Sequence, residues 1–178
     1  MTSAERLEQV KNAVLPVLAG HFGSDTFSVT EHRNELSITV PRERLLEVAD
    51  VLKNTPSLHF DMLKDVCAVD WNRRRQRFEL IYNFWSLDNN YRLRVKCFTE
   101  EKAPHVDSLV PLYGSANWYE REAYDMHGII FDGHPDLRRM YMPEDFLDPV
   151  SGEPLYPLRK DFPMMGIPGS LPLPERKP

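Results

Sequence analysis

The stretch RFELIYNFWSLDNNYRLRVKCFT, residues 77–99, decides the fold. In its first half Phe78, Leu80, Tyr82 and Phe84 alternate with Glu79, Ile81, Asn83 and Trp85. In its second half Tyr91, Leu93, Val95 and Cys97 alternate with Arg92, Arg94 and Lys96. A period of two sends successive side chains to opposite faces of a strand. Asp88-Asn89-Asn90, between the halves, suits a tight loop, so the two strands form a hairpin. The cations mark one face as solvated, as in an antiparallel sheet covered on one side.

Upstream, 62–71 reads as a third strand. Arg73-Arg74-Arg75 is most simply a solvated hairpin turn; a basic docking patch is the sharper reading. Residues 26–30 and 35–40 alternate around His32-Arg33-Asn34 and predict another hairpin. Pro41 suits the first turn of a helix whose core face is Leu45, Leu46, Val48, Val51 and Leu52, ended by Asn54-Thr55-Pro56. Thr2 and Glu5 fit a capping box for an N-terminal helix with the stripe Leu7, Val10, Val14, Leu15 and Leu18. Pro16 predicts a kink or early end there, and Gly20 and Gly23 finish it. Helix-strand-strand-helix-three-strand order with a mainly antiparallel sheet predicts an α+β, two-layer domain with helices on one face. This domain is placed at 1–113, with its last strand ending near residue 100.

The chain has 178 residues and a net charge of −5. That is enough for one sizeable core, and the acidic balance argues against nucleic acid and anionic lipid as direct partners. No apolar run approaches the ~18 residues that span a bilayer, and 13–19 carries Pro16. The N-terminus lacks a basic region before an apolar core and contains Glu5 and Glu8, against a secretory signal or import presequence. A bacterial cytosolic protein that meets a membrane only through partners is expected. Cys67 and Cys97, both in strand-like segments, read as buried thiols; two cysteines without a Cys-x-x-Cys leave no cluster site.

The chemistry-bearing types concentrate in NWYEREAYDMHGIIFDGHPDLRR, residues 117–139. Ser115 as N-cap and Gly128 as a left-handed C-terminus bound a helix. Trp118, Glu122, Asp125 and Met126 share one side of it, Glu120 and Tyr124 another. Arg121 and Asp125 stand at the spacing of a solvated ion pair worth at most ~0.5 kcal/mol. Glu122 with Asp125, assisted by His134, is the one arrangement resembling an acid–base set, and would imply a stand-alone hydrolase. No nucleophile setting, phosphate loop or His-Glu-x-x-His accompanies it. From Pro135 onward, ten of the fifteen prolines fall in 44 residues. Among them stand Met140, Tyr141, Phe146, Leu155, Tyr156, Phe162, Met164 and Met165. Apolar anchors on a proline-stiffened chain predict an extended strap, 141–178, suited to lie over a partner, or else over its own domain.

The helix and turn also carry a pattern. Glu120-Arg121-Glu122, Asp125, Gly128-Ile129, Phe131 and Gly133-His134-Pro135-Asp136-Leu137-Arg138-Arg139 resemble the signature of the C-type, thirty-kilodalton subunit of NADH:quinone oxidoreductase (respiratory complex I). Met142-Pro143-Glu144-Asp145 and Pro157-Leu158-Arg159-Lys160-Asp161-Phe162-Pro163 extend the likeness, with Tyr141 where leucine is frequent; residues from Gly166 onward match nothing specific. The resemblance implies a non-catalytic subunit of the complex's cytoplasmic arm, peripheral on the cytoplasmic side of the bacterial inner membrane. It implies no cofactor in this chain, while the complex uses FMN, iron–sulfur clusters, NADH and quinone. It implies packing beside the quinone-site (D-type) subunit and the cluster-bearing (B- and I-type) subunits. Residues 114–140 would then be the signature helix and turn, and Arg159, Lys160 and Phe162 docking determinants of the strap. The equivalent subunit of a ferredoxin- or F420-dependent complex, or of a membrane-bound hydrogenase, is the alternative within the same family.

Overall fold

The computed structural model describes residues 2–72 and 75–163. Arg73, Arg74, Met164, Met165 and the stretch from Gly166 onward, singled out above, lie outside the described residues. The elements run α1 (Ser3–Phe22), β1 (Ser28–His32), β2 (Glu35–Thr39), α2 (Leu45–Asn54), β3 (Met62–Asp70), β4 (Phe78–Ser86) and β5 (Tyr91–Thr99). They continue with β6 (His105–Asp107), α3 (Ala116–His127) and β7 (Ile130–Asp132). The class is mixed α+β with a mainly antiparallel sheet, ordered β1-β2-β5-β4-β3.

The β4–β5 hairpin forms as the alternation requires, from Phe78 opposite Thr99 to Ser86 opposite Tyr91. Leu80, Tyr82, Phe84, Leu93, Val95 and Cys97 are buried beneath Val10, Val14 and Leu18 of α1 and Val48 and Leu52 of α2. On the other face Lys96 pairs with Glu79 at 3.1 Å and Arg94 with Glu35 at 2.9 Å. One pairing was invisible in the sequence: β2 lies parallel to β5, Ile38 opposite Val95.

Four expectations are corrected. The helix α1 does not end early: it continues past Pro16 to a C-cap at Gly23. Pro16 is on the exposed side, so the carbonyl it orphans faces water while Val14 and Leu18 keep the buried side. His32 belongs to β1, paired with Glu35; the turn is Arg33-Asn34 alone, both at positive φ. Cys67 is exposed and only Cys97 is buried. The cause is a register shift between Leu63 and Asp65. The extra residue reverses the parity of β3, bringing Val66 inward opposite Tyr82 and Cys67 outward opposite Ile81. Finally, the core does not close near residue 100. Val106, Leu109, Tyr113, Ala116, Ala123, Ile129 and Phe131 are buried in the same cluster as the sheet and first helices. A small parallel sheet, β6 with β7, ties the chain before α3 to the chain after it.

α3 covers the free edge of β3. Tyr113 Oη donates to Phe60 O at 2.7 Å, Ser115 Oγ to Leu63 O at 2.9 Å and Tyr119 Oη to Lys64 O at 2.8 Å. Two edge carbonyls at the start of β3, those of Leu63 and Lys64, are thereby occupied. This explains why Ser115 is not a side-chain N-cap: its hydroxyl is spent on β3 and its backbone is already helical.

Candidate functional site

α3 ends where the sequence says it should. Gly128 adopts φ 73 and ψ 28, and its N–H returns to Tyr124 O at 2.7 Å. A second constraint holds glycine there. A Cβ on Gly128 would lie 2.5 Å from Tyr156 Cζ and 2.6 Å from an Arg159 nitrogen. The helix terminus is thus the seat of the segment that returns from the C-terminal side.

Asp125, 0% exposed, organises the middle of that segment. Its Oδ2 accepts the N–H groups of Met140, Tyr141 and Met142 at 3.0, 2.6 and 2.9 Å. Its Oδ1 accepts Arg139 Nη1 at 3.1 Å. Burial pushes the carboxyl up, but the three amides and Arg139 outweigh it and hold Asp125 below the usual carboxylate range. Arg139 also donates to Leu155 O at 3.1–3.2 Å, and its guanidinium lies over the Tyr156 ring. Arg121 turns to the same segment, donating to Arg138 O and Arg139 O at 3.3 and 3.4 Å and lying over Trp118. The expected Arg121–Asp125 pair is therefore corrected: the two side chains share a target, not each other.

Glu120, also 0% exposed, faces the opposite way. It accepts Ser108 Oγ at 2.6 Å and Leu109 N at 2.7 Å, pinning the loop before α3. Burial raises its carboxyl to about 7, against the two hydrogen bonds that lower it. A group raised on folding stabilises most below its unfolded value and loses that contribution as pH rises through the folded one. Between about pH 4.5 and 7 the wild-type chain should therefore lose on the order of 1–3 kcal/mol through Glu120. Glu120→Gln keeps an acceptor for Leu109 N and a donor for Ser108 Oγ, and should remove that loss, so that its thermal midpoint falls less with rising pH than the wild type's. Buried His127, lowered to about 4 by desolvation, contributes in the opposite sense between about pH 4 and 6.5, equally in both proteins, so the difference between them reports Glu120. Parallel melts of both proteins check this; equal slopes would refute it.

The end of the segment is clamped to the sheet. Leu158 N donates to Met126 O at 3.1 Å and Arg159 Nε to His127 O at 2.6 Å. The Arg159 guanidinium lies 4.2 Å from the Tyr156 ring centre and 5.2 Å from that of Phe78. Lys160 N donates to Asp70 Oδ2 at 2.8 Å, and Asp161 pairs with Arg77 at 2.9 Å. Asp70 and Arg77 are themselves a buried two-bond pair, at 3.0 and 2.7 Å. Burial opposes ionisation of Asp70, yet Arg77 and the N–H groups of Lys160 and Asn72 bring it to about 2. Phe162 stacks on Phe146, rings 6.3 Å apart. As far as Pro163 the strap thus lies over its own domain, and Arg159 and Phe162 are engaged within the chain. The physical reason is that Asp125, two helix-terminal carbonyls at 126 and 127, and Asp70 beside Arg77 and Asn72 offer buried hydrogen-bonding sites that this segment fills.

The hydrolase set is not assembled. Asp125 is fully engaged; His134 accepts Asp136 N on Nδ1 at 3.0 Å and donates from Nε2 to Asn117 O at 3.1 Å; Glu122 is exposed. Trp118, expected on the Asp125 side, is 59% exposed. Asp136 and Arg138 pair with each other at the surface, 3.0 Å apart. No group of three or more His, Cys, Asp or Glu placed to hold a metal occurs among the described residues.

Residues 38–168 match the family described as respiratory-chain NADH dehydrogenase, 30 Kd subunit. The chain belongs to that family. A second C-type subunit of the NADH-quinone oxidoreductase of Rhizobium meliloti is 42% identical over 152 residues, covering 85% of this chain and 79% of the relative. The C-type subunit of the Geobacter metallireducens oxidoreductase is 38% identical over 156 residues, covering 87% and 91%. A solved trypsin-resistant fragment of Nqo5 superposes with a TM-score of 0.59 at 31% identity, over 74% of this chain and 99% of the fragment. One chain from the archaeal membrane-bound sulfane sulfur reductase shares the fold, with a TM-score of 0.62 at 24% identity over 90% of this chain and 85% of that one.

In this 30 kDa family chain the residues of the expected pattern fall into two groups. Glu120, Arg121, Asp125, Gly128, Arg139, Arg159 and Asp161 bind parts of the chain to one another; Glu122, Pro135, Asp136, Arg138 and Lys160 are exposed. Sequence reasoning missed Asp70, Arg77 and Ser108, and named Tyr156 only as an apolar anchor of the strap. An acid closing one strand and an arginine opening the next, across a short turn, is a signal that could have found the first two. Nothing local marks Ser108.

Proposed function

We propose that this chain is the non-catalytic C-type subunit of a proton-translocating NADH:quinone oxidoreductase, in which electron transfer belongs to the whole complex. FMN and the iron–sulfur clusters reside in other subunits, and this chain packs beside the quinone-site (D-type) subunit and the cluster-bearing (B- and I-type) subunits. It sits peripherally on the cytoplasmic side of the bacterial inner membrane, held through those partners. No described helix is long and apolar enough to cross a membrane. The observation that carries the reading is the use of Asp125. The carboxylate a catalytic site would need accepts four hydrogen bonds that brace the chain, so the motif builds a scaffold. The outward members of the pattern, Glu122, Pro135, Asp136, Arg138 and Lys160, are assigned to contacts with neighbouring subunits.

The test is purification from solubilised membranes through a tag on this chain. The quinone-site subunit and both cluster-bearing subunits should accompany it, and the chain expressed alone should show no visible absorption band. A band that persists after purification, or recovery of the chain alone from membranes, would overturn the assignment.

A further inference from the structure

Four of the nine large apolar side chains left exposed among the described residues, Tyr141, Leu147, Val150 and Leu158, lie beyond β7. Two of them stand on a small hairpin. Leu147 and Pro154 form an antiparallel bridge; Leu155 N donates to Phe146 O at 3.1 Å and Asp148 N to Glu153 O at 2.8 Å. Asp148 builds the tip, its Oδ1 accepting Val150 N and Ser151 N at 2.8 Å each. Gly152, at φ 72, closes back onto Asp148 O. The base is set by the Phe146–Phe162 stack and by Arg139 over Phe146.

A tip with this many internal bonds has a defined shape, yet Val150 is 87% and Leu147 42% exposed. Folding does not use these two side chains, although it has ordered the backbone that presents them. Along residues 144–155 the charges are all of one sign. Glu144, Asp145 and Glu153 are exposed, while Arg139 and Arg159 turn inward to carbonyls and aromatic rings.

We infer that the hairpin 146–155 is a preformed docking knob, inserting Val150 and Leu147 into an apolar groove bordered by lysine or arginine on a neighbouring subunit. An ordered knob loses little entropy on docking, and its acidic rim selects a basic border and repels the anionic lipid surface. The inference rests on the assembly reading above and names which part of the segment makes the contact. The determinants are the hairpin tip and acidic rim, in place of Arg159 and Phe162.

Two sets of substitutions test it in the tagged full-length chain within its complex. Leu147→Ser with Val150→Ser removes the apolar tip; Glu144→Lys, Asp145→Lys and Glu153→Lys reverse the rim. Each should reduce the partner subunits retained by ~10-fold, and the loss from charge reversal should ease as salt is raised. The isolated variants should melt with the wild type, since the altered side chains are exposed. Retention at wild-type level by both sets overturns the knob while leaving the assembly reading intact. Binding of the isolated wild-type chain to vesicles with anionic headgroups, lost in the apolar variant, also overturns it, because the occupant would then be lipid. A wild-type chain that retains no oxidoreductase subunit overturns the assembly reading itself, and the knob with it.

Discussion

Asp125→Ala lowers the unfolding free energy by ~3–5 kcal/mol, the range for removing one partner of a buried, hydrogen-bonded charge set. The carboxylate has no contact with solvent, so nothing replaces it. Three N–H groups, of Met140, Tyr141 and Met142, lose their acceptor at once, and each orphaned donor that water cannot reach costs ~1–3 kcal/mol. Part of that is relieved by local opening of 138–142, which is why the total stays below the sum. Arg139 keeps Leu155 O but loses its counter-charge. Asp125→Asn should fall between wild type and alanine. Its single oxygen can serve the three amides only by turning its amide nitrogen toward Arg139, donor against donor. Urea melts followed by circular dichroism measure both. A loss of ~0.5 kcal/mol or less would return Asp125 to the role of a surface ion pair.

Ending the chain before Ser151 should destabilise the isolated protein by a similar ~3–5 kcal/mol, on the scale that loss of a buried network produces. The deletion takes away Arg159 from His127 O, Lys160 N from Asp70, Asp161 from Arg77 and Phe162 from Phe146. It also uncovers Phe78, over which the Arg159 guanidinium lies. Had the strap been committed only to a partner, the truncated chain would melt with the full-length one. The acid limb gives an independent readout. Asp70, at about 2 in the folded chain, contributes stability above its unfolded value near 4, lost as pH falls through the folded one. One of the donors that hold it down belongs to Lys160, so truncation should make the acid transition shallower. Full-length and truncated chains with superimposable melts at neutral pH would refute the clamp.

The β4–β5 hairpin, α2, the glycine terminus of α3 and the family were all legible in the residues alone. Each rests on information within a few positions: a period of two beside Asp-Asn-Asn, an apolar stripe after Pro41, a glycine where φ must be positive, an uninterrupted pattern from Glu120 to Arg139. What lies between distant segments emerged only in the folded chain. The parallel neighbour of β2 is more than 50 residues away in the chain, and no local pattern carries that pairing. The exposure of Cys67 hangs on one extra residue in β3, which inverts inside and outside without leaving any mark in the alternation. Above all, the partners of Asp125, Arg121 and Glu120 were misread as neighbours on their own helix. Local spacing shows which side chains can meet at three or four residues. It cannot show that amides 15 to 17 residues later will compete for the same carboxylate and, because that carboxylate is cut off from water, win.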